Sequence, residues 1–234
     1  MLQELKKELR NKADPKRAKV LQGFFKTGAG QYGDGDMFLG IIVPDLRKIA
    51  VKYKNLSFLE VTELLKSKIH EERLTALLIL THNFKESGEQ ERKKIFNFYL
   101  KNTRFINNWD LVDLSADKIM GEYLSGKKDR KILYKLSKSK NLWERRIAII
   151  STFNFIKNGE FKDTLKISRL LLNDDHDLIR KAVGWMLREA GKRSFEAEEK
   201  FLRKHYKKMP RIMLRYAIEK FPESKRRGYL KKTV

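Results

Sequence analysis

The chain has 234 residues, 41% of them hydrophobic, which suits one large domain or two small ones with a substantial core. It holds no cysteine, so disulfides, thiolate chemistry and cysteine-bound zinc or iron–sulfur centres are excluded. The formal charge is +23, from 53 lysines and arginines against 30 acidic residues; this is the electrostatic footprint of a nucleic-acid binder, or the product of a lysine-rich genome.

Met1-Leu2-Gln3-Glu4 does not begin a signal peptide, and no apolar run approaches the roughly 20 residues of a membrane span. An intracellular, soluble protein is therefore expected, cytoplasmic and nucleoid-associated, with no membrane partner. The predicted elements are almost all helices. Asp14-Pro15 and Val43-Pro44 read as helix starts, with helices near 14–26 and 44–54. Between them Gly28-Ala29-Gly30-Gln31-Tyr32-Gly33 matches G-x-G-x-x-G. No hydrophobic strand precedes it, and Asp34 and Asp36 repel phosphate, so it reads as a loop rather than a nucleotide cradle. Phe38-Leu39-Gly40-Ile41-Ile42-Val43 is the one arguable strand.

Further along, apolar residues fall three and four apart in Leu74, Leu77 and Leu78, again in Ile147, Ile150 and Phe153, and in Ile179, Ala182 and Val183. Short polar breaks follow at 85–88, 125–128, 157–159 and 173–175, and Met209-Pro210 and Phe221-Pro222 supply two later starts. Arg146-Ile147-Ala148, Arg180-Lys181-Ala182 and Arg215-Tyr216-Ala217 recur at intervals of 34 and 35 residues, each early in an apolar helix. Arg73-Leu74-Thr75-Ala76 and Asp113-Leu114-Ser115-Ala116 are looser versions upstream. A two-helix unit of about 35 residues predicts an all-α fold, a right-handed-type α-solenoid of HEAT-like helical pairs with a basic concave DNA-binding face. One domain over 1–234 is expected, with N-terminal helices and a glycine-rich loop over 1–43 and helical repeats over 44–234. A monomer is the default. Arg146, Arg180 and Arg215 then form a basic stripe against phosphates, or they are struts that bridge neighbouring repeats. Both readings stand. From Lys200 onward thirteen basic residues face only Glu219 and Glu223.

Trp109 and Asp113 lie four residues apart, one above the other on a helix face. A carboxylate facing a polyanion weakens binding unless it meets positive charge developing in the ligand, so the pair points to chemistry on nucleic acid. Taken singly, each has a plainer reading: tryptophan as core, aspartate as an inter-repeat ion-pair partner. Trp143 reads as a buried helix-start anchor. The four histidines, His70, His82, His176 and His205, lack metal-site spacing, and neither metal nor cofactor is expected.

Three blocks, Asn108-Trp109-Asp110-Leu111-Val112-Asp113, Leu142-Trp143-Glu144-Arg145-Arg146-Ile147-Ala148 and Lys181-Ala182-Val183-Gly184-Trp185-Met186-Leu187-Arg188-Glu189, resemble the AlkD-type DNA alkylation repair glycosylases. So does Phe38-Leu39-Gly40-Ile41 with Pro44 and Arg47, and the likeness runs from about residue 14 to 220. The resemblance implies a HEAT-like solenoid that removes cationic N3- and N7-alkylated purines from duplex DNA without inserting the base into a pocket. It implies Asp113 as the catalytic carboxylate, Trp109 and Trp185 as sugar contacts, and Arg146 as a phosphate grip. Phe24, Arg47, Arg180, Lys181, Arg188 and Arg215 complete the expected DNA-contacting set. Phe24 departs from a tyrosine of the family's better-known member, Asn108 replaces a second aromatic beside Trp109, and the loop over 27–37 is longer. These differences bear on lesion preference more than on reaction type. The competing function is a non-catalytic helical-repeat protein that binds damaged or branched DNA.

The chemistry is coherent with the residues. A purine alkylated at N3 or N7 is already a good leaving group, so no general acid is needed. A carboxylate beside C1′ stabilises the oxocarbenium-like sugar and orients water. Indole faces add attraction that grows as the sugar becomes positive, on the order of 1–2 kcal/mol each.

Overall fold

The computed structural model describes residues 1–234 and is helical, with a single isolated parallel bridge between Met37 and Ile69. The segment 38–42 is thus non-helical and pairs with no strand, and Val43 already opens the next helix. The chain divides into two compact units, Met1–Ile119 and Met120–Val234. No helix is long and apolar enough to cross a membrane.

The first unit contains α1 (Leu2–Asn11), α2 (Pro15–Phe24), α3 (Val43–Lys52), α4 (Phe58–Leu65), α5 (His70–Glu86), α6 (Glu89–Lys101) and α7 (Trp109–Asp113). Its axis is α5, which packs against α1, α3, α4, α6 and α7. Leu74, Leu77, Ile79 and Leu80 are buried on different sides of that helix, the pattern of a helix enclosed by neighbours rather than one facing water. Local signals set the starts. Asp14 caps α2 through the Arg17 amide at 3.0 Å, with Pro15 in its first turn, and Ser57 and Glu60 form a reciprocal capping box on α4. Each such cap is worth about 1 kcal/mol.

The second unit contains α8 (Glu122–Leu124), α9 (Lys131–Leu136), α10 (Leu142–Lys157), α11 (Lys162–Leu170), α12 (Asp177–Gly191), α13 (Phe195–His205), α14 (Arg211–Ala217) and α15 (Glu223–Lys231). Here the repeat is plain. The shorter helices α9 and α11 precede and touch α10 and α12, α13 leads into α14, and α10 packs on α12 and α12 on α14. The expected polar breaks fall at or just beyond helix ends, those at 85–88 and 157–159 beginning within the last turns of α5 and α10. Pro210 and Pro222 stand just before α14 and α15 as cap residues, whereas Pro15 and Pro44 lie inside the first turns of α2 and α3.

One buried carboxyl strains this second unit. Glu198 of α13 is 2% exposed, lies against Gly191 of α12, and its Oε1 has no hydrogen-bond partner. Burial pushes its pKa up to about 9, with the Arg188 charge opposing. The folded form therefore binds a proton that the unfolded form releases above about pH 4.5. Stability from this group is intact below that value and is lost as pH rises toward 9. Glu198→Gln is expected to raise the melting temperature at pH 8 by an amount equivalent to a few kcal/mol, with the advantage shrinking steadily toward pH 5. A difference that stays constant from pH 5 to 9 in thermal melts would contradict this.

Candidate active site

Trp109 and Asp113 are the first and last residues of α7, and both are half-buried. The single turn they share is started by Asn108, whose Oδ1 accepts the Trp109 amide at 2.8 Å. Asn108 is fully buried, and its Nδ2 donates to Asp36 Oδ2 at 3.1 Å. Asp110 caps locally as well, Oδ1 accepting the Leu111 amide at 2.8 Å, while its Oδ2 lies 2.7 Å from His70 Nε2. The other ring nitrogen of His70 lies 3.4 Å from Asp36 Oδ2, and Arg73 Nη2 lies 2.7 Å from Asp36 Oδ1. Burial and Arg73 oppose charge on His70, but Asp110, then Asp36, outweigh them and hold its pKa above the ordinary histidine value. Burial likewise opposes ionisation of Asp36; the bonds from His70 and Asn108 and the Arg73 charge prevail and lower its pKa. The imidazole thus bridges two carboxylates.

The indole of Trp109 rests on an aromatic column. It stacks on Phe25 at 5.0 Å and 9°, Phe25 stacks on Phe38 at 5.0 Å, and Phe38 stacks on His70 at 4.6 Å. Phe24 meets the same indole edge-on at 5.8 Å and is 62% exposed. After Phe25 the chain reverses through Lys26, a non-glycine residue in the left-handed region at φ 52°. The loop that follows serves itself: Gln31 Oε1 accepts the Gly28 amide and Asp34 Oδ2 the Gly30 amide, so these amides are committed within the loop, as a connector requires. Glu71 accepts the amides of Leu39, Gly40 and Ile41 at 2.9, 2.7 and 3.3 Å, which fixes the non-helical segment carrying Phe38. Gly40 is at φ 84°, and a Cβ there would meet the Asp14 carbonyl and sit 2.7 Å from the Ala18 amide. Below α7, the buried Tyr99 bonds Ser115 at 2.9 Å; burial raises its pKa, with Asp117 and Asp113 adding to the effect. Arg47 is exposed on α3.

In the second unit Trp185 is half-buried on α12, 6.1 Å from Phe153 of α10, over whose ring the Lys157 ammonium lies at 4.3 Å and the Arg193 guanidinium at 5.8 Å. Lys181 and Trp185 are one turn apart. Lys181 and Arg215 line one cleft of about 780 Å³ with Arg211, Tyr216 and Arg226. Glu219, on the same cleft, is bonded by Arg188, which also lies 3.8 Å from Glu189. The three repeat arginines meet three fates. Arg146 is 5% exposed and donates from Nη1 to the Leu178 carbonyl at 2.5 Å. Arg180 donates to the Asp174 carbonyl at 2.7 Å, near Asp177, and Arg215 is exposed. Trp143 is buried at the start of α10, capped by Asn141 at 2.8 Å, as an anchor should be.

Several contributors lay outside the sequence reading. Asp36 looked like a phosphate-repelling loop residue, and is instead buried with His70 and Arg73. His70-Glu71-Glu72-Arg73, four polar residues opening an apolar helix, was the available signal, since buried charges must find partners. Phe25 and Tyr216 gave no signal of their own.

The chain matches the family model described as DNA alkylation repair enzyme over residues 5–221, and it belongs to that family. Its fold is shared with a predicted DNA alkylation repair enzyme from Enterococcus faecalis, at 15% identity and a TM-score of 0.68, covering 91% of this chain and 98% of that one. It is shared also with AlkD2 from Streptococcus mutans, at 20% identity and 0.56, covering 88% and 97%. A third structure, smu.31 from Streptococcus mutans UA159, aligns at 21% identity and 0.54, covering 77% and 93%. No curated protein matches the chain.

Gly184 in the Lys-Ala-Val-Gly-Trp block has a steric reason. A Cβ there would sit 2.5 Å from both the Met213 carbonyl and Tyr216 Cβ, so glycine is what lets α12 and α14 touch beside Trp185. Gly184→Ala is expected to destabilise the protein by about 1–3 kcal/mol through overpacking. Urea unfolding checks it; an unchanged midpoint would mean that the helices part without cost.

Proposed function

We propose that this family member is a DNA glycosylase that hydrolyses the N-glycosidic bond of cationic N3- and N7-alkylated purines in duplex DNA. The observation that carries the reading is the single turn of α7, which sets a half-buried carboxylate and a half-buried indole four residues apart on a strongly basic protein. Asp113 faces the sugar as positive charge develops at C1′ and orients the attacking water. The alkylated base departs with the bonding electrons and becomes neutral, so no proton donor is required. Trp109 offers an indole face to the deoxyribose, an attraction that strengthens toward the transition state, and the resemblance assigns Trp185 a sugar contact as well. The base is not drawn into a pocket, unlike in enzymes that flip it.

Phosphates supply position. Lys181 and Arg215, with the cleft they share, meet the DNA backbone, along with Arg47, Arg180 and Arg188, and Phe24 packs its exposed ring beside Trp109. Arg146, 5% exposed and bonded to the Leu178 carbonyl, ties neighbouring repeats together and is left out of the phosphate contacts. A module that only binds DNA has no use for Asp113, since an anion at the interface costs affinity.

Asp113→Asn tests the reading. Release of 7-methylguanine from methylated duplex DNA is expected to fall on the order of a hundredfold or more, while duplex affinity holds or rises. Equal release by variant and parent would remove Asp113 from the mechanism.

A further inference from the structure

His70 reaches Trp109 by two separate routes. The polar route runs from Nε2 to Asp110, the residue after Trp109, and from Nδ1 through Asp36 to Asn108, the residue before it. Asn108 then accepts the Trp109 amide itself. The aromatic route runs from the imidazole face through Phe38 and Phe25 to the indole plane, three successive stacks of 4.6, 5.0 and 5.0 Å. The first route fixes where the Trp109 backbone sits, and the second fixes how its ring is tilted. His70, Asp36, Asn108 and Asp110 are all at most 8% exposed, so none of them is placed to touch DNA.

A rigid anchor matters here because α7 is only one turn long. An isolated turn has no stability of its own, and the amides at its N-terminus have no partner within the helix. Asn108 and Asp110 supply such partners, and His70 with Asp36 ties both to α5 and to the loop ahead of Phe38. Ion pairs among buried groups are seldom a net source of stability, and they are better at fixing one arrangement. A hydrophobic side chain in place of His70 would fill the same space against Phe38 without holding α7.

We infer that His70, bridging Asp36 and Asp110, is a positioning residue that sets the angle of the Trp109 indole for catalysis. The inference rests on the glycosylase reading for its catalytic part, while its geometric part stands independently. His70 does not touch substrate; it acts through Trp109.

The test uses His70→Phe, which keeps a ring on Phe38 but deletes both polar links, in the full-length protein. Two readouts are taken: the single-turnover rate of 7-methylguanine release at saturating enzyme, and the indole N–H resonances of the three tryptophans by NMR, with Trp109→Phe assigning one. The rate is expected to fall roughly ten- to a hundredfold from misplacement, with the duplex dissociation constant unchanged within about twofold. The Trp109 resonance moves, and those of Trp143 and Trp185 stay. Should His70→Phe fail to fold, Asp110→Asn serves, since its amide can still cap Leu111 but loses the charge that holds the imidazole. An unmoved Trp109 resonance overturns the inference, as does an unchanged rate in a variant with the resonance moved. A parent protein that releases no alkylated purine removes the glycosylase reading instead, and the resonance alone then decides whether His70 positions the indole.

Discussion

The 2.7 Å contact between His70 Nε2 and Asp110 Oδ2, sealed from water on both sides, is the constraint from which the candidate site follows. A five-residue helix cannot define the direction of its own side chains. Once Asp110 is pinned to α5 and Asn108 to Asp36, only one placement of α7 remains. Trp109 then comes down on Phe25 and Asp113 stands a turn away. The aromatic column beneath Trp109 removes the freedom that the polar contacts leave to its ring. Glu71 secures the column from the far side by gathering three consecutive amides of the Phe38 segment. Polar burial of this density is expensive, and its return is conformational uniqueness.

The second unit solves a different problem with different means. Its helices α10, α12 and α14 stack in succession; Gly184 sets the approach of α12 to α14, and ion pairs such as Arg130–Asp163 and Arg145–Asp174 link successive repeats. Gly184 admits α14 next to Trp185, bringing Tyr216 and the Arg215 cleft to the same stretch of α12. Arg146 spends a bond on the Leu178 carbonyl at the start of α12 and Arg180 one on the Asp174 carbonyl just ahead of its own helix, whereas Arg215, last in the series, is left to the surface. Equivalent sequence positions thus carry different duties, because a repeat's surroundings change along the chain.

What could be read directly from the residues was whatever local physics determines. Helix starts at Asp14-Pro15 and Val43-Pro44, the breaks at glycine and asparagine, and the 34- and 35-residue period all depend on short-range geometry, and the helical fold followed from them. The Trp109–Asp113 pairing was legible because four residues make one helical turn. The supports of that pair were not. Asp36, His70 and Asp110 are separated by 34 and 40 residues, and only the packed fold brings them together. Asn108 looked like the loss of an aromatic, but in the structure it is a buried cap with two polar partners. Phe25 is one of 14 phenylalanines, and no periodicity separates the one beneath an indole from those that merely fill the core.

The central claim is that an anionic side chain meets a sugar turning cationic while an already charged base leaves without help from an acid. The most direct measurement compares two duplexes that differ at one atom, one holding 7-methylguanine and the other its uncharged 7-deaza counterpart, with excision followed under identical single-turnover conditions. Rapid loss of the charged base with none of the neutral one is the expected result. Comparable release of both would demand a proton donor to the leaving base and would contradict catalysis by the carboxylate alone.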